Sequence, residues 1–140
     1  MLTPKNILID LNIILDYVLA RADSNNIQVV IDEYEAGRRQ LFVSAHSVTT
    51  FAYLLEKSNQ NQERINFWLN WLLYNFNIVD TTKDSLKMAL ASQIDDYEDA
   101  VIERAALVCG ADLIITRNLK DFKSSQVKAL SPEQFVSVYC

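Results

Sequence analysis

Glycine is almost missing from this chain, since Gly37 and Gly110 are the only two among 140 residues. Loops that surround the phosphates of a nucleotide need several glycines at fixed spacing, so a P-loop and a dinucleotide-binding fingerprint are both excluded. Proline is equally rare, with two residues, which argues against flexible linkers and low-complexity segments. We therefore expect a single domain over residues 1–140 with a packed core.

Histidine and cysteine are too scarce for several kinds of active site. His46 is the single histidine, so a Ser-His-Asp or Cys-His mechanism would have to depend on it. Cys109 and Cys140 lack the spacing of a zinc site, and the apolar helical run before Cys109 predicts a buried free thiol. Unpaired thiols indicate a reducing environment. Because Asp10 and Asp16 interrupt the apolar N-terminal stretch, no signal peptide is predicted, and we expect a cytoplasmic protein.

Short apolar runs alternate with segments of helical periodicity along the chain. The apolar runs predict five short strands, at 6–9, 40–43, 77–79, 112–116 and 126–129. Spacings of three and four residues predict helices between them, most clearly over 65–76 and from about 96 to 109. Ser131 and Pro132 predict the cap and first turn of a last short helix. The alternation predicts a three-layer α/β/α domain, and no uncharged run is long enough to span a membrane.

Polar residues follow two of the predicted strands, at the edge of an open α/β sheet where ligands bind. Asp10 comes directly after the first strand, and Asn118 comes two residues after the strand at 112–116. A carboxylate at the end of a buried strand needs hydrogen bonds or a cation to offset its burial. Both residues also have a simpler interpretation, because Asp10 and Asn118 can each cap a following helix. The sequence leaves these alternatives open.

The densest acidic cluster, made of Asp95, Asp96, Glu98 and Asp99, opens a predicted helix. Acids in a first turn interact favourably with the helix dipole, and Asp96 with Asp99 resembles a capping box. Capping is the simpler interpretation, but it uses only one or two of the four carboxylates. Asp96 and Asp99 lie three residues apart and face one direction, so together they can recruit a divalent cation. Oxygen ligands with retained waters favour Mg²⁺ or Mn²⁺ over zinc.

The charge balance is unfavourable for a nucleic-acid enzyme. The chain carries 13 basic and 18 acidic residues, which gives a net charge of −5. Contacts with phosphates need lysine or arginine close by. The objection weakens if the acids gather at one metal site and the bases lie around it.

Four stretches of this sequence resemble the PIN domain, in particular the branch of VapC-type toxins and their close relatives. They are ILIDLNIILD at 7–16, DYEDA at 96–100, GADLIITRNLKDF at 110–122 and LSPEQF at 130–135. The resemblance implies a parallel sheet of four to five strands and an Mg²⁺- or Mn²⁺-dependent endoribonuclease that hydrolyses phosphodiester bonds of RNA. It also implies the role of toxin in a type II toxin–antitoxin pair, with a small antitoxin protein as partner.

The resemblance and the expected mechanism together give each candidate residue a role. Four positions form the expected catalytic set: Asp10, Asp96, Asp99 and Asn118. The three aspartates among them are the expected metal ligands. Three positions are expected to bind the RNA substrate: Asn12, Arg117 and Lys120. Three supporting positions complete the site: Thr50, Thr116 and Asp121.

Thr50 departs from the family pattern, which has a glutamate or aspartate early in the helix after the second strand. A hydroxyl can hydrogen-bond a metal-bound water, but it supplies no negative charge. Asp96 or Glu103 could compensate, whereas Glu56 lies on a different face of its helix. A degenerate PIN module that binds RNA or a protein partner without cleavage is therefore the alternative function. A phosphoacceptor signalling domain, which would depend on Asp80, fits less well.

Phe67, Trp71 and Tyr74 form a second apolar stripe on the helix predicted over 65–76. A helix with two apolar faces is either deeply buried or part of an interface. Burial in the core is the simpler interpretation of the stripe. The alternative is an interface, either of a homodimer, which is the oligomeric state we expect, or with the antitoxin.

Overall fold

The computed structural model describes residues 3–21 and 24–140. The sheet of this part of the chain contains five strands: β1 (Asn6–Ile9), β2 (Gln40–Ser44), β3 (Asn77–Val79), β4 (Leu113–Ile115) and β5 (Ala129–Leu130). All neighbouring strands are parallel, and their order is β3-β2-β1-β4-β5. β1 is therefore the central strand, and the carboxyl ends of all five strands lie at one edge.

Helices cover both faces of the sheet in the described residues: α1 (Leu11–Val18), α2 (Ser24–Glu35), α3 (Ala45–Lys57), α4 (Gln62–Asn75), α5 (Lys83–Ala89), α6 (Tyr97–Val108) and α7 (Pro132–Tyr139). Helices α1 to α4 and α7 surround the larger hydrophobic cluster on one face, while α5 and α6 cover the other face. This arrangement confirms the predicted three-layer fold and its parallel sheet. Within the described residues, no helix has the length and apolar character to cross a membrane.

The central strand shows why a strand of this sheet is apolar on both faces along its middle. Ile7, Leu8 and Ile9 are all buried. Successive side chains of a strand point to opposite faces, so Ile7 and Ile9 enter the larger cluster and Leu8 enters the smaller one. Because helices cover both faces, neither face tolerates polar side chains. Polar residues appear only at the two ends of the strand, at Asn6 and Asp10.

The last strand begins later than the sequence predicted. β5 covers Ala129–Leu130 and not 126–129, and it pairs with β4. Gln126 donates its backbone N–H to Oε2 of Glu103 at 2.8 Å. Because a side chain on α6 takes this hydrogen bond, Gln126 does not join the ladder of the sheet, and the strand begins three residues later than predicted.

The helix predicted over 65–76 forms as α4, but its second apolar stripe does not belong to the core. Phe67 and Tyr74 are 62% and 87% exposed, so burial is the wrong interpretation for both. Trp71 differs from them because it is half-buried, and its ring stacks on Tyr17 with 5.6 Å between the centroids. α4 therefore presents an apolar surface to solvent, which agrees with the interface alternative.

The two thiols are free, as the sequence predicted. Cys109, which was expected to be buried, is half-buried, and its Sγ lies 3.6 Å from the carbonyl oxygen of Ala106. Burial raises the pKa of the Cys109 thiol, so the group stays protonated and unreactive at neutral pH. Cys140 is exposed.

Arg39 joins the two ends of the chain beside the amino ends of the strands. It lies directly before β2 and is buried. Its guanidinium donates to the carbonyl oxygens of Pro4 and, at 3.3 Å, of Tyr139. It also lies 5.3 Å from the centre of the Phe135 ring. Carbonyl dipoles and an aromatic face therefore compensate for the burial of this cation.

Candidate active site

Asp10 lies at the carboxyl end of β1, where α1 begins. Its side chain is buried and, within the described part of the chain, makes no hydrogen bond of capping geometry, although the backbone N–H of Leu11 interacts with it. Its Oδ2 instead accepts a hydrogen bond from Oγ1 of Thr116 at 2.8 Å. Burial raises the pKa of Asp10, and the Thr116 hydroxyl and the Leu11 N–H oppose that rise. Helix capping therefore does not explain why a carboxylate occupies this position.

Thr116 connects two of the expected site segments. It follows β4 and is fully buried. While its hydroxyl donates to Asp10, the same oxygen accepts the backbone N–H of Asn118 at 3.0 Å. One threonine thus fixes the Asp10 carboxylate against the loop that carries Asn118, whose own side chain is half-buried.

Asp96 and Asp99 have different roles at the start of α6. Asp96 is the N-cap, and its Oδ1 accepts the backbone N–H of Asp99 at 3.0 Å, so capping is confirmed for Asp96. Asp99 is half-buried, and its burial raises its pKa to about 7, with further increases from the charges of Asp96, Asp10, Asp121 and Glu98. Carboxylates from three separate segments therefore surround Asp99.

Glu98 is a further carboxylate of this cluster, and the sequence motifs did not single it out. Burial is the main influence on the pKa of Asp10, Asp99 and His46, but the charge of Glu98 acts on all three. Glu98 therefore lies close to the end of β1, the start of α3 and the first turn of α6. The sequence signal for Glu98 was its position inside the acidic cluster, because capping alone does not require four carboxylates.

A family model described as PIN domain matches residues 6–120 of the chain. The chain belongs to the PIN domain family. The matched range includes Asp10, the acids at the start of α6, and Asn118, and it ends one residue before Asp121. The resemblance seen in the four sequence stretches is therefore confirmed.

Several solved structures share the PIN fold of this chain. A toxin-antitoxin complex from Klebsiella pneumoniae is 24% identical, with a TM-score of 0.67 over 90% of this chain and 97% of that one. VapBC2 from Rickettsia felis, bound to a DNA fragment from its promoter, is 18% identical, with a TM-score of 0.68 over 90% and 98%. VapC20 from Mycobacterium tuberculosis, described as a Sarcin-Ricin loop cleaving toxin, is 13% identical, with a TM-score of 0.61 over 77% and 86%. No curated protein matches the sequence.

Neutral groups occupy the α3 side of the PIN site, where the family pattern has an acid. Thr50 donates its hydroxyl to the carbonyl oxygen of His46 at 3.4 Å, within its own helix. Nδ1 of His46 lies 2.6 Å from Oγ of Ser44, and its Nε2 is buried with no hydrogen-bond partner among the described residues. Burial lowers the pKa of His46, so the ring is neutral at pH 7.

Glu103 does not replace the acid missing at Thr50. It is buried, and its Oε1 accepts a hydrogen bond from Oγ of Ser92 at 2.6 Å. Its Oε2 accepts the backbone N–H of Gln126 at 2.8 Å. Both oxygens tie α6 to neighbouring loops, so this carboxylate is structural, and the expectation that it could compensate is wrong.

Arg117 has the best-defined position among the residues expected to bind RNA. Its Nη1 lies 3.2 Å from Oδ1 of Asp16, a buried carboxylate on α1, and Arg21 lies 3.8 Å from the same oxygen. The side chain of Arg117 remains 44% exposed. Lys120 is exposed and Asn12 is half-buried. The RNA-binding role of Arg117, Lys120 and Asn12 stays a prediction.

The donors of this site suit a hydrated divalent ion, although the described residues contain no group of three Asp, Glu, His or Cys side chains already arranged to bind a metal. All of the donors are oxygens, and Mg²⁺ keeps several waters when one or two carboxylates bind it. Burial makes Asp10 and Asp99 costly to ionise, and the charge of Asp10 adds to the cost at Asp99. A cation between them would remove that cost.

Proposed function

We propose that this PIN domain is a metal-dependent endoribonuclease, a hydrolase that cuts RNA phosphodiester bonds, and that it is the toxin of a type II toxin–antitoxin pair. The crowding of carboxylates around Asp99 at the carboxyl edge of the sheet carries the proposal. Burial and four neighbouring acids raise the pKa of Asp99 to about 7. Such repulsion costs stability, and strongly perturbed ionisable groups cluster at catalytic sites.

The carboxylates would hold the ion, and the surrounding groups would orient them. Asp10 and Asp99 would bind Mg²⁺ or Mn²⁺ directly, while Asp96 and Asn118 would reach it through water. The bound ion supplies positive charge to the scissile phosphate and a water of lowered pKa. The Thr116 hydroxyl keeps the Asp10 carboxylate in one orientation through its 2.8 Å hydrogen bond. A water of lowered pKa would act as the nucleophile without a histidine as general base.

Basic and amide side chains at the rim would position the RNA. The guanidinium of Arg117 is already oriented by its ion pair with Asp16, and it keeps further N–H donors for a phosphate. Lys120 is a mobile point charge on the same loop, and Asn12 offers an amide in the first turn of α1. Asp121 adds negative charge close to Asp99 and so strengthens the attraction for a cation.

A protein partner follows from the toxin role. Similar structures include a toxin-antitoxin complex and VapBC2 bound to promoter DNA. We therefore expect a small antitoxin that covers the acidic site. The exposed rings of Phe67 and Tyr74 on α4 are the apolar surface where we expect a homodimer contact or the antitoxin.

Cleavage of a structured RNA tests the proposal directly, because one of the similar proteins is described as cutting such a loop. Purified protein should cut the RNA with Mn²⁺ and not with EDTA, and Asp99→Asn should reduce the rate by about a thousandfold or more. Asp95→Asn is the matched control, since it removes the same charge from an exposed neighbour in the same cluster. Equal rates for the two variants would overturn the assignment of Asp99.

A PIN module that binds without cutting is the second candidate, and Thr50 favours it. The Thr50 hydroxyl is bonded within its own helix, so the α3 side contributes no negative charge. Calorimetric titration with Mn²⁺ distinguishes the two functions. Saturable binding that Asp10→Asn weakens supports the nuclease, whereas the absence of binding by the native chain supports the binding module.

A further inference from the structure

The 12 residues from 117 to 128 have the opposite charge balance to the rest of the chain. They include Arg117, Lys120, Lys123 and Lys128, and one acid, Asp121. The other 128 residues carry 9 basic and 17 acidic side chains. A protein of net charge −5 thus concentrates positive charge in one short segment, which we call the basic segment, directly after the strand that ends at the candidate active site.

The three lysines of the basic segment are free to contact a ligand. Lys120, Lys123 and Lys128 are exposed, and within the described ranges none of their ammonium groups has a hydrogen bond or an ion pair. Two arginines outside the segment are engaged, since Arg38 is paired with an acid and Arg39 is buried. The exposed Lys83 and Lys87 on α5 are not part of such a concentration. Unpaired lysines contribute little to stability, so their concentration here needs another explanation.

A groove of about 320 Å³ lies beside the basic segment. Its walls come from the loop around Leu119 and Phe122, from β5, and from Gln134 on α7. The two charged side chains that line it are both lysines, Lys123 and Lys128. Because β5 is the edge strand of the sheet, no further strand of the described chain covers this side.

The loop that forms one wall of this groove also reaches the carboxylates. Asp121 lies between Lys120 and Lys123 and is one of the acids close to Asp99. The backbone N–H of Asp121 bonds to the carbonyl oxygen of Asn118 at 3.0 Å, and the ring of Phe122 is buried in the core. The loop is therefore anchored, and it leads directly from the candidate active site to the groove.

We propose that the groove beside β5 is the path of the RNA substrate away from the scissile bond, with Lys123 and Lys128 contacting backbone phosphates. The inference rests on the proposed nuclease function and extends it. Within the described residues, the one aromatic ring at the groove is that of Phe122, which is buried, so stacking on bases is not expected. Phosphate contacts position a nucleic acid without reading its sequence.

The salt dependence of RNA binding tests the path separately from cleavage. A short, labelled single-stranded RNA is titrated by fluorescence anisotropy in EDTA, between about 50 and 200 mM salt. Each lost phosphate contact lowers the slope of log affinity against log salt by about 0.7, so Lys123→Gln with Lys128→Gln should lower it by about 1.4. Lys83→Gln with Lys87→Gln, which removes the same charge from exposed positions on α5, should leave the slope unchanged. Equal slopes for the two double variants would overturn the proposed path.

Cleavage with Mn²⁺ by the same variants separates a failure of the path from a failure of the enzyme. The groove variant should have a KM raised about tenfold and an unchanged kcat, because the lost contacts are made equally in the ground state and the transition state. If the Lys123/Lys128 double variant has the expected lower slope but the native chain never cuts RNA, the nuclease proposal fails and the path stands. If the native chain cuts RNA and both double variants have the native KM, the path is wrong and the enzyme stands.

Discussion

Charged side chains have different neighbours at the two ends of the central strands. At the amino ends, Asp112 and Arg39 meet partners of matching polarity. Asp112, just before β4, accepts the backbone N–H groups of Lys5 and Asn6 at 2.9 and 3.1 Å, and Arg39, before β2, donates to two carbonyl oxygens. At the carboxyl ends of the same strands, carboxylates instead lie close to other carboxylates.

Under the proposed function, this difference separates charges that stabilise the fold from charges that would bind a ligand. Burial raises the pKa of both Asp10 and Asp99, and neighbouring acids raise them further. At Asp10, the Thr116 hydroxyl, the backbone N–H of Leu11 and the charge of Arg117 oppose the rise in pKa without removing it. A fold that needed only stability would place apolar or paired residues here, so the crowding at the carboxyl edge supports the proposed active site.

The largest expected effect tests the amino edge. Arg39→Ala should lower the free energy of unfolding by about 3 kcal/mol, because the carbonyl groups of Pro4 and Tyr139 lose a donor inside the fold. Urea denaturation measures the change. Arg38→Ala is the control, since this exposed side chain pairs with Glu33 at the surface, and it should cost less than about 1 kcal/mol. Similar losses for both variants would mean that Arg39 does not hold the amino edge together.

The segments of the carboxyl edge could be predicted because each follows an apolar run. The run that ends at Asp10 and the run before Asn118 mark two parallel strands, and parallel strands end at one edge. The partners of each side chain could not be predicted in the same way. The Thr116 hydroxyl bridge and the position of Glu98 depend on how β1, β4 and α6 pack together, which local patterns do not contain.

The elements that were missed or misplaced have different local causes. Glu103 takes the N–H of Gln126 and so delays the start of β5. Thr82 caps α5 by accepting the N–H of Ser85 at 3.1 Å, and this helix of seven residues is too short to show a clear apolar period. The exposed rings of α4 have another origin, because the apolar period alone does not distinguish a core face from an interface.

A second prediction sharpens the comparison by adding charge to the carboxyl edge. Thr50→Asp places a carboxylate where the family pattern has one, and it should strengthen Mn²⁺ binding about tenfold, or about 1.4 kcal/mol. Calorimetric titration gives the affinity. Thr49→Asp is a close control, because Thr49 is exposed and its hydroxyl also donates to the carbonyl oxygen of His46, at 3.0 Å. If both variants gain equally, the effect is general electrostatic attraction and not completion of the site.

The smallest expected effect concerns stability without metal. Asp99 has a folded-state pKa of about 7, above its ordinary value of 3.8, so the folded state binds its proton more tightly than the unfolded state does. The stabilisation from this proton is complete below about pH 4 and is lost as the pH rises to about 7. In EDTA, Asp99→Asn should therefore gain stability relative to the native chain between these pH values. The gain should stay below about 1 kcal/mol because solvent screens a half-buried group.

Bound metal should reverse the order of stability of Asp99→Asn and the native chain. The measurement therefore tests directly whether the carboxylates of the carboxyl edge bind a cation. Thermal unfolding at pH 8 should show Asp99→Asn to be the more stable protein in EDTA, and the native chain to be the more stable one in Mn²⁺, because only the native chain gains binding energy from the ion. Asp95→Asn should follow the native chain under both conditions. An Asp99→Asn protein that is less stable than the native chain even in EDTA would show that this carboxylate, like those at the amino edge, is there to support the fold.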